Sequence, residues 1–271
     1  MDNKQNLHTH SSFCDGVDTP EEMVLEAIER GFDSMGFSGH SYMSFSPVFR
    51  EKGDRTEEYK KEVTRLREKY KQQIKIYLGL EVEMYSEPDM SGYDYLIGSV
   101  HYFKFGNECV AFDVSADGVV KVIENYFDGD GMKFALAYYE TLAKLPEYGN
   151  FDIIGHFDLV TKHIESRALF DHNAKEYLDA AFCAAESLRG KIPFFELNTG
   201  AIGRAYRKSP YPSIPILKEL RRLGFGAVIT SDCHRKEFID CYYEESRELL
   251  RECGFRERYI LTDNGFKAVE I

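Results

Sequence analysis

Short apolar runs alternate with amphipathic stretches along most of the chain, and this alternation predicts strands and helices in turn. The apolar runs predict seven strands, at residues 6–10, 33–40, 74–85, 93–103, 151–158, 192–200 and 226–234. Helical patterns follow most of them, at about residues 19–31, 54–73, 115–127, 132–145, 171–189, 213–223 and 238–252, and a further strand is possible at 258–262. Strands that alternate with helices pair in parallel, so the pattern predicts an α/β fold.

The first two helices carry sequence signals for where they begin. Thr19 and Glu22 form a T-x-x-E capping box, with Pro20 at the first helical position between them. Asp54 and Glu57 have the same spacing and predict a second capping box at the start of the next helix.

Polar side chains lie at or near the C-terminal end of nearly every predicted strand. They are His8, His10, His40, Glu81, His101, His156, Asp232 and His234. In an α/β barrel this rim is where active sites are built. An open doubly wound sheet would concentrate its site at one switch point instead. The distribution therefore favours a closed or distorted barrel.

Composition excludes several classes of protein. The chain has 271 residues, of which 43% are hydrophobic, which suffices for a large core, and α/β barrels of about 250 residues form one domain. A net charge of −12 disfavours sequence-independent binding to nucleic acid and gives no attraction to an anionic membrane. No apolar run approaches the roughly 20 residues that span a bilayer. The six cysteines are scattered, which is typical of reduced thiols in a cytoplasmic protein.

Two pairs of polar residues have the spacing that chelation requires. Residues i and i+2 of a strand share a face, so His8 and His10 point the same way, as do Asp232 and His234. Imidazole and carboxylate together suit zinc, manganese or iron. Each residue alone could be an ordinary packing or surface residue. So many buried imidazoles and carboxylates at one rim would be costly without cations, and we therefore predict a metal site.

Six motifs in these regions resemble, in order, those of the PHP (polymerase and histidinol phosphatase) superfamily. They are HTHSSFCDG, GFSGH, GLEVE, GSVH, IIGHFD and ITSDCH, and they extend over about residues 7–234. The resemblance implies a distorted TIM-like (β/α)7 barrel of the PHP type. It also implies a single phosphoesterase domain over residues 1–271.

The resemblance further implies ligands for two or three divalent ions of zinc, manganese or iron. The first ion would be held by His8, His10, Glu81 and Asp232, the second by Glu81, His101 and His156, and the third by Asp15, His40 and His234. Glu81 would bridge the first two ions. Many relatives carry histidine at the position of Asp15, so the carboxylate here could change the affinity or identity of the third ion.

Such a cluster indicates phosphoester hydrolysis. Divalent ions attract a phosphate dianion and lower the pKa of bound water from about 15.7 to about 7, which supplies hydroxide for attack on phosphorus. The ions also stabilise the equatorial oxygens and the developing alkoxide. We assign catalytic roles to Glu81, Asp232 and His234. The sequence leaves open whether Asp232 or a histidine protonates the leaving oxygen.

Within the superfamily, the chain resembles the monofunctional histidinol-phosphate phosphatases in its length and in the segment FFELNTGAIGRAYRKSPYPS at 194–213. This implies a phosphatase of histidine biosynthesis that acts on a small phosphorylated substrate, as a monomer or small homo-oligomer. The candidate substrate ligands are Arg204, Lys162, Asn198 and Arg207. The two cations Arg204 and Lys162 could equally be ordinary surface residues, and Asn198 could simply cap a turn.

Two alternatives remain. The chain could be a PHP phosphoesterase for another small monoester, such as a nucleotide or sugar phosphate. It could also be a metal-binding barrel with little catalysis, although the complete ligand set argues against this.

Overall fold

The main sheet contains seven parallel strands, as the sequence predicts, and curls into a nearly closed barrel surrounded by helices. The computed structural model describes residues 3–271. In spatial order the strands are β1 (Gln5–Asn6), β2 (Ser34–Phe37), β3 (Lys75–Glu83), β4 (Tyr95–Ser99), β7 (Ile153–Ile154), β8 (Phe194–Asn198) and β9 (Gly226–Thr230). Each pairs in parallel with its neighbour, which confirms the predicted distorted barrel.

The first and last barrel strands meet just beyond their C-terminal ends. Thr9 and Cys233 form a parallel bridge there, and the His10 amide donates a 3.0 Å hydrogen bond to the Cys233 carbonyl. The Asn6 side-chain amide adds a 2.6 Å hydrogen bond to the Ser231 hydroxyl. These contacts bring the beginning of the barrel next to its end.

Two antiparallel hairpins lie outside the barrel sheet. The first pairs β5 (Tyr102–Phe105) with β6 (Glu108–Ala111), so the apolar run predicted as one strand at 93–103 is divided just before this hairpin. The second pairs β10 (Glu257–Thr262) with β11 (Gly265–Glu270). Gln5 exchanges two hydrogen bonds with the Leu261 backbone, of 2.9 and 2.7 Å, which fixes this hairpin at the N-terminal end of the barrel.

Helices cover the outer face of the sheet. They are α1 (Pro20–Glu29), α2 (Pro47–Lys52), α3 (Thr56–Tyr70), α4 (Ala116–Tyr126), α5 (Gly131–Leu142), α6 (Lys175–Leu188), α7 (Gly200–Gly203), α8 (Ile214–Leu223) and α9 (Tyr243–Glu252). None of the helices within residues 3–271 has both the length and the apolar character needed to cross a bilayer.

The two helix-start predictions have different outcomes. Thr19 and Glu22 form the expected reciprocal capping box at α1. The box predicted for Asp54 and Glu57 is wrong, because Arg55 is the N-cap of α3. The Asp54 carboxylate instead accepts the amide of Thr56 at 3.0 Å, in the local turn that aspartate side chains favour.

Tyr95 joins three barrel strands below the rim that carries their C-terminal ends. Its hydroxyl donates to the carbonyl of Leu7 and, at 3.2 Å, to that of Phe37. A Cβ atom at Gly36 or Gly79 would come within 2.2 Å of the Tyr95 side chain, so both positions require glycine. This packing fixes the strands that lead to the first polar residues of the rim.

Candidate metal centre

Six of the seven barrel strands carry the nine predicted metal ligands to the same rim. The nine are His8, His10, Asp15, His40, Glu81, His101, His156, Asp232 and His234, and their imidazole and carboxylate groups converge. Six of them are buried, whereas His40 and His234 are partly exposed and the Asp15 side chain is 38% exposed.

The first group joins the beginning and the end of the barrel. The Nε2 atoms of His8 and His10 lie 3.1 Å apart. Asp232 Oδ1 is 3.1 Å from His10 Nε2 and 3.6 Å from His8 Nε2. Glu81 Oε2 approaches the same two nitrogens at 3.5 and 3.4 Å. Four side chains from three strands therefore direct their donor atoms to one place.

The second group lies on the other side of the Glu81 carboxylate. Glu81 Oε1 is 3.0 Å from His156 Nε2 and 3.4 Å from His101 Nε2, and these two nitrogens are 3.1 Å apart. The two oxygens of Glu81 thus face different groups, which is the placement that a bridging ligand requires.

The third group is the most open one. Asp15 Oδ2 lies 3.1 Å from His234 Nε2 and 3.6 Å from His40 Nε2. Asp15 Oδ1 is 3.2 Å from His10 Nδ1, and His40 Nδ1 is 2.9 Å from Glu81 Oε2, so this group adjoins the first.

The donor set fits divalent metal ions. The buried atoms His40 Nδ1 and Glu81 Oε2 lie 2.9 Å apart but form no well-aligned hydrogen bond with each other or with other described residues. Leaving such an atom unsatisfied costs about 1–3 kcal/mol. In neutral imidazole, two Nε2 atoms that approach at 3.1 Å would direct lone pairs at one another unless a proton or a cation lies between them. Cations held between these groups would separate the Nε2 lone pairs and satisfy Glu81 Oε2.

The electrostatics of the site also fit bound cations. Burial disfavours a charge on His8, but Glu196, Asp232 and Glu81 raise its pKa to about 10. Burial acts in the same way on His101, and Glu81 and Glu83 raise its pKa to about 9. The buried carboxylates thus favour positive charge beside these two imidazoles. Bound metal ions would supply that charge with the imidazoles neutral, as ligation requires.

Two further carboxylates, Glu196 and Glu83, orient the histidines. Glu196 accepts four hydrogen bonds, from His8 Nδ1 at 2.8 Å, the His156 amide at 2.6 Å, the Asn198 side chain at 2.7 Å and the Thr230 hydroxyl at 2.8 Å. Glu83 Oε2 accepts from the amide and Nδ1 of His101, at 2.8 and 2.9 Å. Such partners fix the tautomer and ring orientation of metal-binding histidines. Neither residue was among the site residues predicted from sequence, although Glu83 shares a strand face with Glu81.

Arg204 and Lys162 line the cavity above the histidines, which has a volume of about 290 Å³. The Arg204 guanidinium is 3.0 Å from Asp232 Oδ2 and 3.2 Å from His234 Nδ1. Lys162 forms an ion pair with Asp113. Asp113 and Tyr206 also line this cavity, and neither was among the candidates predicted from sequence. Asp113 reaches the rim because the β5–β6 hairpin returns the chain there, which no sequence pattern indicates.

The other two predicted substrate ligands, Asn198 and Arg207, do not line the cavity. Asn198 is buried and donates to Glu196 and, at 3.3 Å, to Asp232 Oδ2, so it positions two carboxylates at the rim. Arg207 is buried against the Tyr211 ring and donates to Thr161 and Ser209. The chain bends between Arg204 and Arg207, where Ala205 has a φ of 58°. The Arg207 guanidinium therefore points away from the rim.

The barrel and its rim of histidines and carboxylates define a class of protein. The sequence profile of the PHP domain matches residues 6–199, and the chain belongs to the PHP domain family. Asp232 and His234 lie beyond the matched residues, on the segment that follows β9.

Several curated relatives of the chain carry the same name. This chain is 26% identical over 91% of its length to a probable histidinol-phosphatase of Schizosaccharomyces pombe, and the match covers 86% of that protein. It is 26% identical over 97% of its length to the histidinol-phosphatase of Lactococcus lactis, covering 96% of that protein. A crystal structure of histidinol phosphate phosphatase from Lactococcus lactis, complexed with zinc, L-histidinol and phosphate, matches 98% of this chain and 99% of that one with a TM-score of 0.74 and 22% identity. The structural match supports the barrel fold.

Proposed function

We propose that this chain is a metal-dependent phosphatase that hydrolyses L-histidinol phosphate to L-histidinol and phosphate. The observation that carries the proposal is a cavity lined by side chains from all three groups of candidate metal ligands together with the cations Arg204 and Lys162. Three relatives named histidinol-phosphatase or probable histidinol-phosphatase align with about nine-tenths or more of this chain, which supports the choice of substrate.

The nine rim residues would hold two or three ions of zinc, manganese or iron, and Glu81 would bridge two of them. When bound, such ions generate a nucleophile from water near neutral pH and neutralise phosphate charge. Arg204 would bind a phosphate oxygen with its planar guanidinium, and Lys162 would add a point charge on the same side. Asp232 and His234 line the cavity and are the candidates to move a proton to the leaving oxygen.

We further propose one phosphoesterase domain that acts in the cytoplasm in histidine biosynthesis, as a monomer or small homo-oligomer. The barrel sheet continues beyond the matched residues to β9, which supports a single domain. The net charge of −12 supports a small-molecule substrate rather than nucleic acid.

A phosphate-release screen on protein whose metal content has been measured tests this proposal. Selective turnover of L-histidinol phosphate over nucleotide and sugar phosphates is the expected result. Preference for one of those other monoesters would instead support a PHP phosphoesterase with a different small substrate. A fully metallated protein that releases no phosphate from any of these esters would contradict both functions.

Replacing Arg204 with alanine is expected to raise KM by roughly 10- to 100-fold, since a hydrogen bond to a charged group contributes about 1.5–3 kcal/mol. Arg204→Lys keeps the charge but loses the planar fork, and an intermediate KM is expected. Steady-state kinetics and metal content are measured for both variants. The exposed Arg167→Ala serves as the control. An unchanged KM for Arg204→Ala would remove this residue from the phosphate site.

A further inference from the structure

Two short segments meet beside the cavity above the histidines, and each carries one of the two candidate phosphate-binding cations. The first segment is residues 158–166, in which the 3₁₀ turn Leu159–Thr161 comes directly before Lys162. The second is residues 204–213, which begins with Arg204 at the end of helix α7. Both cations line the cavity, so the distance between them depends on how the two segments are joined.

The side chain of Arg207 links the two segments. Its guanidinium donates to the hydroxyl of Thr161 and, at 3.1 Å, to the hydroxyl of Ser209. The same guanidinium lies 3.9 Å from Asp158 Oδ1. Only 4% of the Arg207 side chain is exposed, and the Asp158 side chain is fully buried. The second segment is therefore bonded to the residue that immediately precedes Lys162.

Two backbone amides of the second segment strengthen the same junction. The Lys208 amide donates to Glu165 Oε1 at 2.9 Å, and the Ser213 amide donates to Asp158 Oδ2 at 3.0 Å. The backbone hydrogen bonds inside the first segment are local and connect residues three or four apart. They fix the shape of the turn, whereas contacts with residues 204–213 help to fix its place at the cavity.

The two cations are held in different ways. Arg204 has anchors of its own, because its guanidinium donates to Asp232 Oδ2 at 3.0 Å and to the Gly200 carbonyl at 3.2 Å. The Lys162 ammonium pairs with Asp113, which comes from another segment and does not hold the Lys162 backbone. The place of that backbone thus depends on the turn before it.

The burial of Arg207 with Asp158 calls for a reason other than stability. Removing two charges from water is costly, and a buried ion pair often stabilises a protein no more than apolar residues of the same volume. Within residues 3–271, moreover, Arg207 Nε and Asp158 Oδ1 have no hydrogen-bond partner. Buried polar networks can instead fix one arrangement of the segments that they join.

We propose that Arg207 is a positioning residue for phosphate binding, which holds the turn before Lys162 at a fixed distance from Arg204. This inference rests on the proposed phosphatase function, in which these two cations bind phosphate oxygens. Arg207 itself does not line the cavity, so it acts through Lys162. Its loss would let Lys162 shift, and a displacement of about 1 Å at a positioned group can cost as much as about 100-fold.

The first test removes the hydroxyl that Arg207 binds and leaves the arginine in place. Thr161→Val is expected to raise the Kd of inorganic phosphate for the metal-loaded protein by roughly 3- to 10-fold, because Lys162 is displaced. KM for L-histidinol phosphate should rise by a similar factor while kcat changes by less than about twofold, as for a group that binds substrate and transition state equally. Thr161→Ser keeps the hydroxyl and is the matched control. Calorimetry, steady-state kinetics and metal analysis on the same samples measure these quantities.

Replacing Arg207 itself gives the larger effect. Arg207→Met is expected to raise the Kd of phosphate by about 10-fold or more, and Arg207→Lys should recover part of that loss because it keeps one donor and the charge. Thr161→Val leaves the buried charges in place, so it tests the proposal even if Arg207→Met fails to fold.

A double-mutant cycle with Lys162→Met separates positioning from a general loss of stability. If Arg207 acts through Lys162, then Thr161→Val should change the Kd of phosphate by less than about twofold once the ammonium is absent. Ile260→Ala is the control for stability, since Ile260 is buried in the β10–β11 hairpin at the other end of the barrel. It is expected to lower the melting temperature without changing the Kd of phosphate.

The possible outcomes separate the two proposals. A wild-type protein that hydrolyses no L-histidinol phosphate contradicts the phosphatase function, and the phosphate Kd values then test Arg207 alone. If Lys162→Met weakens phosphate binding while Thr161→Val and Arg207→Met bind phosphate as tightly as the wild type, the positioning role is wrong and the phosphatase function stands. An unchanged Kd in Lys162→Met, an equal effect of Thr161→Val with and without Lys162, or an equal loss in Ile260→Ala overturns the positioning role as well.

Discussion

Replacing Glu81 with glutamine is expected to reduce phosphatase activity by roughly 1,000-fold or more and to lower the amount of bound metal. The two Glu81 oxygens face different groups of histidines, at 3.4 Å from His8 Nε2 and 3.0 Å from His156 Nε2. Glutamine would keep one acceptor oxygen and direct an NH₂ group at the other set of donors. Several kcal/mol of charge stabilisation by the ions would be lost, and each 1.36 kcal/mol is a tenfold change in rate.

Metal analysis and steady-state kinetics on the same preparation check this result. Glu87→Gln is a matched control, because Glu87 lies in the segment after β3 and is exposed. Full activity or full metal content in Glu81→Gln would show that Glu81 is not the bridging ligand.

Glu196→Gln is expected to have the next largest effect. The buried Glu196 carboxylate accepts four hydrogen bonds and shares in raising the pKa of His8 to about 10. A neutral amide would leave one set of donors facing its own NH₂ group. We expect the metal-free protein to lose about 2–4 kcal/mol of unfolding free energy, because breaking a buried charged network is costly. We also expect metal affinity to fall by about 10- to 100-fold, as is usual for groups that orient metal ligands.

Urea unfolding of the metal-free protein and metal titration of the folded protein measure the two effects separately. Glu219→Gln is the control, because Glu219 pairs with the exposed Arg222 on helix α8. Glu83→Gln offers a further comparison, since Glu83 orients His101. This replacement should lower metal affinity at the second group of ligands more than at the first. Wild-type stability and metal affinity in Glu196→Gln would show that this carboxylate does not support the site.

Strand alternation and the position of polar residues at strand ends were enough to predict the barrel and the meeting of the rim residues. His8 and Asp232 are far apart in sequence, yet parallel strands must end at the same rim, so their proximity follows from topology. The assignment of each ligand to a particular ion came from the family resemblance and stays a prediction.

Residues whose position depends on loops were harder to predict. Asp113 reaches the cavity because the β5–β6 hairpin returns the chain to the rim, and no periodic pattern in the sequence signals that return. Arg207 is three residues from Arg204 and has the same side chain, but the backbone turn at Ala205 directs it into the protein. Loop geometry of this kind depends on contacts between distant segments rather than on local residue preference.

The junction between the first and last barrel strands gives the proposed ions a mechanical role. Within the described residues the two segments share the Thr9–Cys233 bridge, whereas neighbouring barrel strands are paired over two to five residues. Ions held by His8 and His10 on one side and by Asp232 and His234 on the other would act as a cross-link over this junction. Removing them should speed hydrogen exchange at the His10 amide before the other strands respond. The concentration of available metal would then determine how often the junction between the first and last strands opens, as well as the rate of substrate turnover.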